Sequence, residues 1–408
     1  MQINQNKPLI MHIDLNSCFA TVAQQANPLL RNKPLVVAAY ATPNGCVLSP
    51  SIEAKRYGIK TGMTVRDAHA LYSGVLVRTP DPPMVRDVHA KFRKIFNDYS
   101  PHVTPKSIDE AIINFEHTLY EQKDLTEVAK EIKLRMRREI GEWISCSIGI
   151  GTNRFLAKTG ASLHKPDGLD IISHRNLRNI YANLTLLDLC GINQKYQARL
   201  NMYGIFTPLQ FFDASAEFLK KQVFESVVGY YWFLRLHGWE PDAQEFQRKS
   251  YGQEYSLQKP TSNLEELCPI LMKLCEKMGR RLRASGHAAF GIHVACLYHD
   301  YTHWHRGRKL QDELYATVDL YKKALFIFNQ QPERKIISKL AVSCYDLVPS
   351  ASSQMNLFDT EVQKRKLVSD AMDKINDRYG EFVITPARMM GMDDLVLDRI
   401  AFGGGNEM

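Results

Sequence analysis

The apolar residues of this chain change their period twice, and that change restricts what the chain can fold into. Over the first 165 residues, short apolar runs of strand type alternate with amphipathic runs of helix type. Residues 9–13, 35–39, 46–48 and 145–151 read as buried strands, and 17–25, 51–57, 65–72, 84–99 and 125–140 as helices. Leu125, Val128, Ala129, Ile132 and Met136 share one face of the last of these. Asn153 can cap a further helix over 154–164. Such alternation argues an α+β or α/β unit. From 176 to 238 only helical periodicity remains. Residues 239–253 (WEPDAQEFQRKSYGQ) are polar and read as a linker. A second mixed pattern follows: helix 264–285, strands 292–298 and 314–319, helix 322–329, strand 339–345, a polar link over 348–356 and a last helix over 361–378. The expected class is therefore α+β and multidomain, which suits 408 residues.

Composition adds a partner class. Lys plus Arg exceed Asp plus Glu, 52 against 44, for a formal net charge of +8. The excess fits a phosphate-rich partner as well as it fits a merely basic protein, so the placement of the charge matters more than its sum. No apolar run is long enough to span a bilayer, and no membrane is expected. The polar start, residues 1–8, lacks a signal-peptide layout, so a cytoplasmic location is the expectation. Eight cysteines form no CxxC pair, which argues against disulfide staples and a cysteine zinc site.

Three acids stand out by position. Asp14 ends an apolar run broken only by His12, and Asp109 and Glu110 lie inside the strand-like stretch 105–115. Neighbouring residues on a flat strand point to opposite faces, so both of the latter can serve one site only if a turn or bulge bends the chain there. Beside the strand of Asp14 the three carboxylates would converge. Such a cluster repels itself unless divalent cations neutralise it, and Mg²⁺ with oxygen ligands suits phosphoryl chemistry. Two Mg²⁺ ions could activate the attacking oxygen and stabilise the leaving one. A solvated turn is the plainer reading of an Asp-Glu pair taken alone.

Five ordered motifs add context: MHIDLNSCFA (11–20), SIEAKRYGIKTGM (51–63), SIDEA (107–111), SIGIGTNRFLAKTGASLHKPDG (147–168) and CGINQKYQARLNMYGIFT (190–207). Together they resemble the Y-family translesion DNA polymerases of the DinB/UmuC group, over essentially the whole chain. The resemblance implies a right-hand polymerase with palm (1–25 and 77–166), fingers (26–76), a helical thumb (167–238), a linker (239–253), an α/β little finger (254–346) and a C-terminal tail (347–408). It implies Asp14, Asp109 and Glu110 as catalytic metal ligands, helped by the Leu15 carbonyl. Phe19 falls on the steric-gate position against a ribose 2′-hydroxyl; a core aromatic is the other reading. Cys18, Phe19, Ser49, Lys55 and Lys165 fall on nucleotide-binding positions. The family's Tyr and Arg contacts to the triphosphate are here Ile52 and Lys55, which removes a hydroxyl and a bidentate fork. Lys158 and Lys165, seven apart, are expected on one helix face, and for Lys158 a solvated role is equally open.

The remaining segments point to nucleic acid. Residues 189–205 read as two short helices around Gly191-Ile192-Asn193, a helix-hairpin-helix for backbone phosphate in which Asn193 tolerates unusual angles. Arg306, Arg308 and Lys309, with His303 and His305, read as a loop against duplex DNA. The His303-x-His305 spacing suggests zinc, but no cysteine or carboxylate cluster completes a site in the sequence. Gln354-x-x-Leu357-Phe358 resembles the sliding-clamp motif of bacterial polymerases, the other reading being that its apolar pair folds back on its own domain. The implied partners are primer-template DNA, deoxynucleoside triphosphates and the clamp. The alternative function is a catalytically inactive polymerase-like accessory protein, which would be expected to lose the three acids. A nucleotide cyclase on a similar palm would need neither the helical hairpin nor the second module.

Overall fold

The computed structural model describes residues 2–243, 247–350, 360–392 and 395–396. In chain order its strands and α-helices are β1 (Ile10–Leu15), α1 (Cys18–Ala26), β2 (Leu35–Ala38), β3 (Val47–Pro50), α2 (Ile52–Arg56), α3 (Val65–Leu71), β4 (Leu76–Arg78), α4 (Pro82–Asn97), β5 (Val103–Pro105), β6 (Glu110–Asn114), α5 (Leu125–Glu139), β7 (Cys146–Gly151), α6 (Arg154–Leu163), β8 (Leu169–Ile171), α7 (Leu177–Ala182), α8 (Gln194–Met202), α9 (Pro208–Asp213), α10 (Ala216–Phe218) and α11 (Val227–Leu236). There follow β9 (Ser250–Thr261), α12 (Leu264–Ala284), β10 (His287–Tyr298), β11 (His303–Leu314), α13 (Thr317–Phe328), β12 (Ile337–Pro349) and α14 (Thr360–Tyr379). The chain forms two compact units, one within 1–244 and one within 245–398.

The first unit is built on a five-stranded sheet in the order β5-β6-β1-β7-β8. Alternation along β1 sends Met11, Ile13 and Leu15 into a core with α1, α4 and α5. The opposite face receives α6, with Ile10, Ile112 and Ala157 packed together. This helix lies close because Gly149 has no side chain: a Cβ there would stand 2.0 Å from the Ala157 carbonyl oxygen. Asn153 caps the helix, accepting from the Leu156 amide at 2.8 Å, as its sequence position suggests.

A smaller sheet, β3-β2-β4, shares its middle strand between two cores. Val36 joins Val47, Ala54, Ile59, Ala68 and Val75, while Leu35 and Val37 join the core of the large sheet. The helical stretch has its own core around Tyr181, Phe211 and Trp232. Its hairpin differs from the expectation in detail. The element before the turn is a single 3-10 turn, Leu186–Asp188, and Asn193 has an ordinary extended backbone, φ −104° and ψ 176°. The asparagine caps α8 through the Tyr196 amide, and the left-handed angle falls on Gly191, φ 92°.

The second unit is a four-stranded antiparallel sheet, β11-β10-β12-β9, with α12 and α13 on one face. Two expectations fail here and one is shortened. The expected linker, 239–253, spans the division between the units at 244/245, but from Ser250 onward it is already β9. The supposed loop holding Arg306, Arg308 and Lys309 is the middle of β11. The supposed strand 314–319 is the end of β11 and the start of α13. Edge strand β11 is polar almost throughout and shows no alternation, whereas β9 alternates, with Tyr251 and Tyr255 buried between exposed neighbours. Register assigns their side chains to faces. Arg306 and Arg308 pair with Val294 and Ile292, on the face covered by helices, and Arg308 lies over the Phe326 ring. Lys309 pairs with Gly291, on the other face. The three cations are thus divided between two surfaces.

The last helix, α14, is bound to this unit by charge. Arg283 donates to both carboxylate oxygens of Asp373, at 2.5 and 2.9 Å. Tyr315 donates to Asp370, Arg365 to Asp319, and Lys366 pairs with Glu313. Beyond the helix, buried Lys273 donates to the carbonyls of Met392 and Leu395.

Candidate active site

The β5–β6 connection resolves the neighbouring-acid problem. Lys106 and Ser107 donate their amides to the Glu110 carbonyl, and the Ser107 hydroxyl accepts from the Glu110 amide at 3.0 Å. Asp109 therefore lies in a turn and Glu110 opens the strand, so the two need not diverge. Glu110 stands directly across from Asp14 in the β1–β6 ladder, and the Leu15 amide donates to the Asp109 carbonyl at 2.9 Å. The three acids are brought to one end of the sheet. A cavity of about 570 Å³ opens there, lined by Asp14, Leu15, Cys18, Phe19, Ser49, Lys55, Asp109 and Lys165, among others.

Two lysines engage the acids. Lys165 donates to Asp14 at 2.5 Å. Lys158 donates to both oxygens of Glu110, at 3.0 and 2.7 Å. Helix α6 ends at Leu163, so Lys165 reaches the site from beyond the helix rather than from the expected shared face. The solvated reading of Lys158 gives way to a structural partner of Glu110. His12, which in the sequence only interrupts an apolar run, is a further residue of the site. It sits two residues from Asp14 on the same strand face, buried, with its Nε2 3.7 Å from Glu110 and neither ring nitrogen hydrogen-bonded. That period-two spacing was the signal available in the sequence.

The electrostatics are those of a confined charge cluster. Burial pushes the Asp14 carboxyl up to about 6 against the pull of Lys165. Burial likewise raises Asp109, although the Ser107 hydroxyl hydrogen bond opposes it. Burial also works against ionisation of Glu110, but His12 when it is protonated, and Lys158 and Lys165 throughout, hold it below its ordinary range. His12 falls to about 4, chiefly through burial, and is neutral at pH 7. Lys55 is lowered by burial and by the nearby charge of Lys165. His12, Asp14 and Glu110 can bring one ligand atom each within 4.8 Å of one another. A carboxylate held part-way towards its neutral form, beside a second acid and at a cavity, is short of positive charge. Hard oxygen donors in this setting fit a divalent cation such as Mg²⁺.

The other singled-out residues are distributed as follows. Ser49 is buried on β3, and Phe19 is 3% exposed, packed into the core of the large sheet as well as lining the cavity. Gly191 and Asn193 shape the hairpin of the helical stretch, and Lys309 pairs with Asp346 at 2.9 Å. Gln354, Leu357 and Phe358 lie outside the described residues. Among those described, no helix is long and apolar enough to cross a membrane.

Known proteins share both the sequence and the architecture. The impB/mucB/samB family matches residues 13–162, and its C-terminal domain matches 248–357. A DNA polymerase IV of Moorella thermoacetica is 32% identical over 383 residues, covering 92% of this chain and 94% of that one. A DNA polymerase IV of Pelotomaculum thermopropionicum is 30% identical over 384 residues, with 93% and 94% covered. Among solved structures, a Y-family DNA polymerase chimera of Dbh and Dpo4 aligns with a TM-score of 0.72 at 22% identity, covering 83% of this chain and 99% of that one. A ternary complex of Dbh DNA polymerase aligns with a TM-score of 0.58 at 21% identity, again covering 83% and 99%. The chain belongs to the impB/mucB/samB family and is a DNA-directed DNA polymerase of the Y family.

Proposed function

We infer that this polymerase is a low-fidelity enzyme of translesion synthesis that adds nucleotides by two-metal-ion transfer in the cavity at the end of the large sheet. The observation that carries the reading is the convergence of Asp14, Asp109 and Glu110 on one strand end, with Lys55 and Lys165 on the same cavity. Asp14, Asp109 and Glu110, with the Leu15 carbonyl, would hold two Mg²⁺ ions, which when bound lower the barrier by stabilising the attacking and leaving oxygens. Lys165 and Lys55 turn to the triphosphate of the incoming nucleotide, where their charge offsets that of the phosphates. The Cys18 and Phe19 amides begin α1, and Ser17 before them makes no side-chain cap, so these donors can meet phosphate oxygens. Ser49 contributes a hydroxyl, and the Phe19 ring excludes a ribose 2′-hydroxyl.

In this reading 1–25 and 77–166 are the palm, 26–76 the fingers, 167–238 the thumb and 254–346 the core of the little finger. Gly191 and Asn193 meet backbone phosphate, and Arg306, Arg308 and Lys309 supply positive charge to duplex DNA, now from two faces of β11. Gln354, Leu357 and Phe358 engage a sliding clamp. Retention of all three acids favours an active enzyme over an inactive accessory protein.

The test is primer extension with Mg²⁺ on intact and damaged templates. Asp109→Ala and Glu110→Ala are each expected to lose several powers of ten in rate while binding primer-template normally. Near-normal extension by either variant would refute the assignment of the site.

A further inference from the structure

The face of the four-stranded sheet opposite α12 and α13 carries small residues and histidines. Register places Gly291, His293, Ala295 and Leu297 of β10 there, beside Lys309, Gly307, His305 and His303 of β11. His293 is diagonal to His305, and its Nε2 stands 3.2 Å from the His305 Nδ1. Their rings are tilted by 43°, with centroids 5.3 Å apart. His303, two residues along β11, holds its ring nearly parallel to that of His305, 6.1 Å away. Opposite His293 lies Gly307. A Cβ at that position would stand 3.3 Å from the His293 ring and 3.3 Å from the Tyr345 hydroxyl, so glycine keeps the space before both groups open. The fixed charges on this face are already paired, Lys309 with Asp346 and Lys339 with Glu254.

We propose that His293 and His305 form the bite of a divalent transition-metal site on this open sheet face, with His303 as a third ligand after rotation of its side chain. Two imidazole nitrogens at zinc bond lengths of about 2.0–2.1 Å and near-tetrahedral angles lie about 3.3 Å apart, which is the separation seen here. Each neutral imidazole keeps one proton: on the Nδ1 of His293 and the Nε2 of His305, facing away from the metal. Burial and the neighbouring His305 lower His293 from its ordinary value, which leaves its lone pair available at neutral pH. Imidazole selects Zn²⁺, Co²⁺, Ni²⁺ and Cu²⁺ over Mg²⁺, so the site is chemically separate from the carboxylates of the first unit. The sequence concealed it, because the pairing crosses two strands and only His303 and His305 are close in the chain. An imidazole–imidazole hydrogen bond accounts for the same distance without a metal, and the experiment discriminates.

Calorimetric titration of the full chain with Ni²⁺, in excess Mg²⁺, is the measurement, repeated on an Asp14→Asn variant so that binding at the carboxylate cluster is recognised. One equivalent of Ni²⁺ should bind both proteins. His293→Gln and His305→Gln should each weaken that binding at least about tenfold, and His303→Gln should weaken it less. Ni²⁺ should also raise the melting temperature of the unaltered chain and not that of the His293→Gln variant. Binding that persists in both His293→Gln and His305→Gln, or that is lost with Asp14→Asn, overturns the proposal whatever the polymerase activity of these proteins.

Discussion

Phe19 belongs to two environments at once. Its ring is packed in the core of the large sheet and also borders the cavity. Truncation should therefore have two effects that can be read separately. Phe19→Ala should cost stability of about 3–5 kcal/mol, as aromatic core truncations do, and lower the melting temperature. It should also raise ribonucleotide incorporation relative to deoxynucleotide. A lower melting temperature with an unchanged ratio would leave Phe19 a core residue alone. His237 makes a pH-dependent contribution elsewhere. Its ring is stacked between Phe212 and Phe233 with centroids at 4.4 and 4.0 Å, and its Nδ1 lies 2.8 Å from the Phe233 carbonyl oxygen. Burial lowers its pKa from 6.5, even though that carbonyl favours the charged ring. The unfolded chain then binds the proton more readily than the folded one, so stability is lost as pH falls through 6.5 towards the lowered value. His237→Phe keeps an aromatic ring without the titration. Between pH 7.5 and 5.5, its melting temperature should fall less than that of the unaltered chain; equal falls would exclude His237 as a source of acid sensitivity.

At the scale of elements, stability and legibility follow the same physics. Arg283 is 3% exposed at its side chain, and Asp373 of α14 is its bidentate partner. Removing one member of such a pair strands the other, at a cost of about 3–5 kcal/mol. Arg283→Ala should release α14, seen as new protease cleavage within 360–379, while Arg283→Met with Asp373→Leu should restore most of the resistance. Equal protection of Arg283→Ala and the unaltered chain would show that packing alone holds the helix. The elements legible in the sequence are those with much apolar burial: β1, buried on both faces, shows it as a short apolar run, and α5 shows one apolar face in its period. β11 buries little, draws its order from the ladder to β10, and so looks like a loop in the sequence, whereas β9 buries only Tyr251 and Tyr255 fully and its polar start looks like linker. The site is legible to a similar degree. The acids are prominent in the sequence, but their convergence depends on a turn at 106–109 that the strand pattern disguises. Lys158 is one cation among many until α6 is seated on Gly149. Asn193 is expected to tolerate unusual backbone angles, but its backbone is extended and its side chain caps α8 instead.

At the scale of the molecule, the proposed clamp contact is open to one decisive comparison. Leu357→Ala with Phe358→Ala should leave single-nucleotide addition on a short linear primer unchanged and remove stimulation by a loaded clamp. Retained stimulation with a lower melting temperature would mean instead that the two side chains fold back on their own unit. The flanks of this segment matter as much as its sequence. Ser350 donates its amide to the Gly286 carbonyl at 2.8 Å, and α14, which starts at Thr360, is ion-paired to α12, α13 and β11. Helix α14 is thus held to its unit at several points by opposite charges, and a clasp made of charges is one that added salt can slacken where an apolar seam would hold.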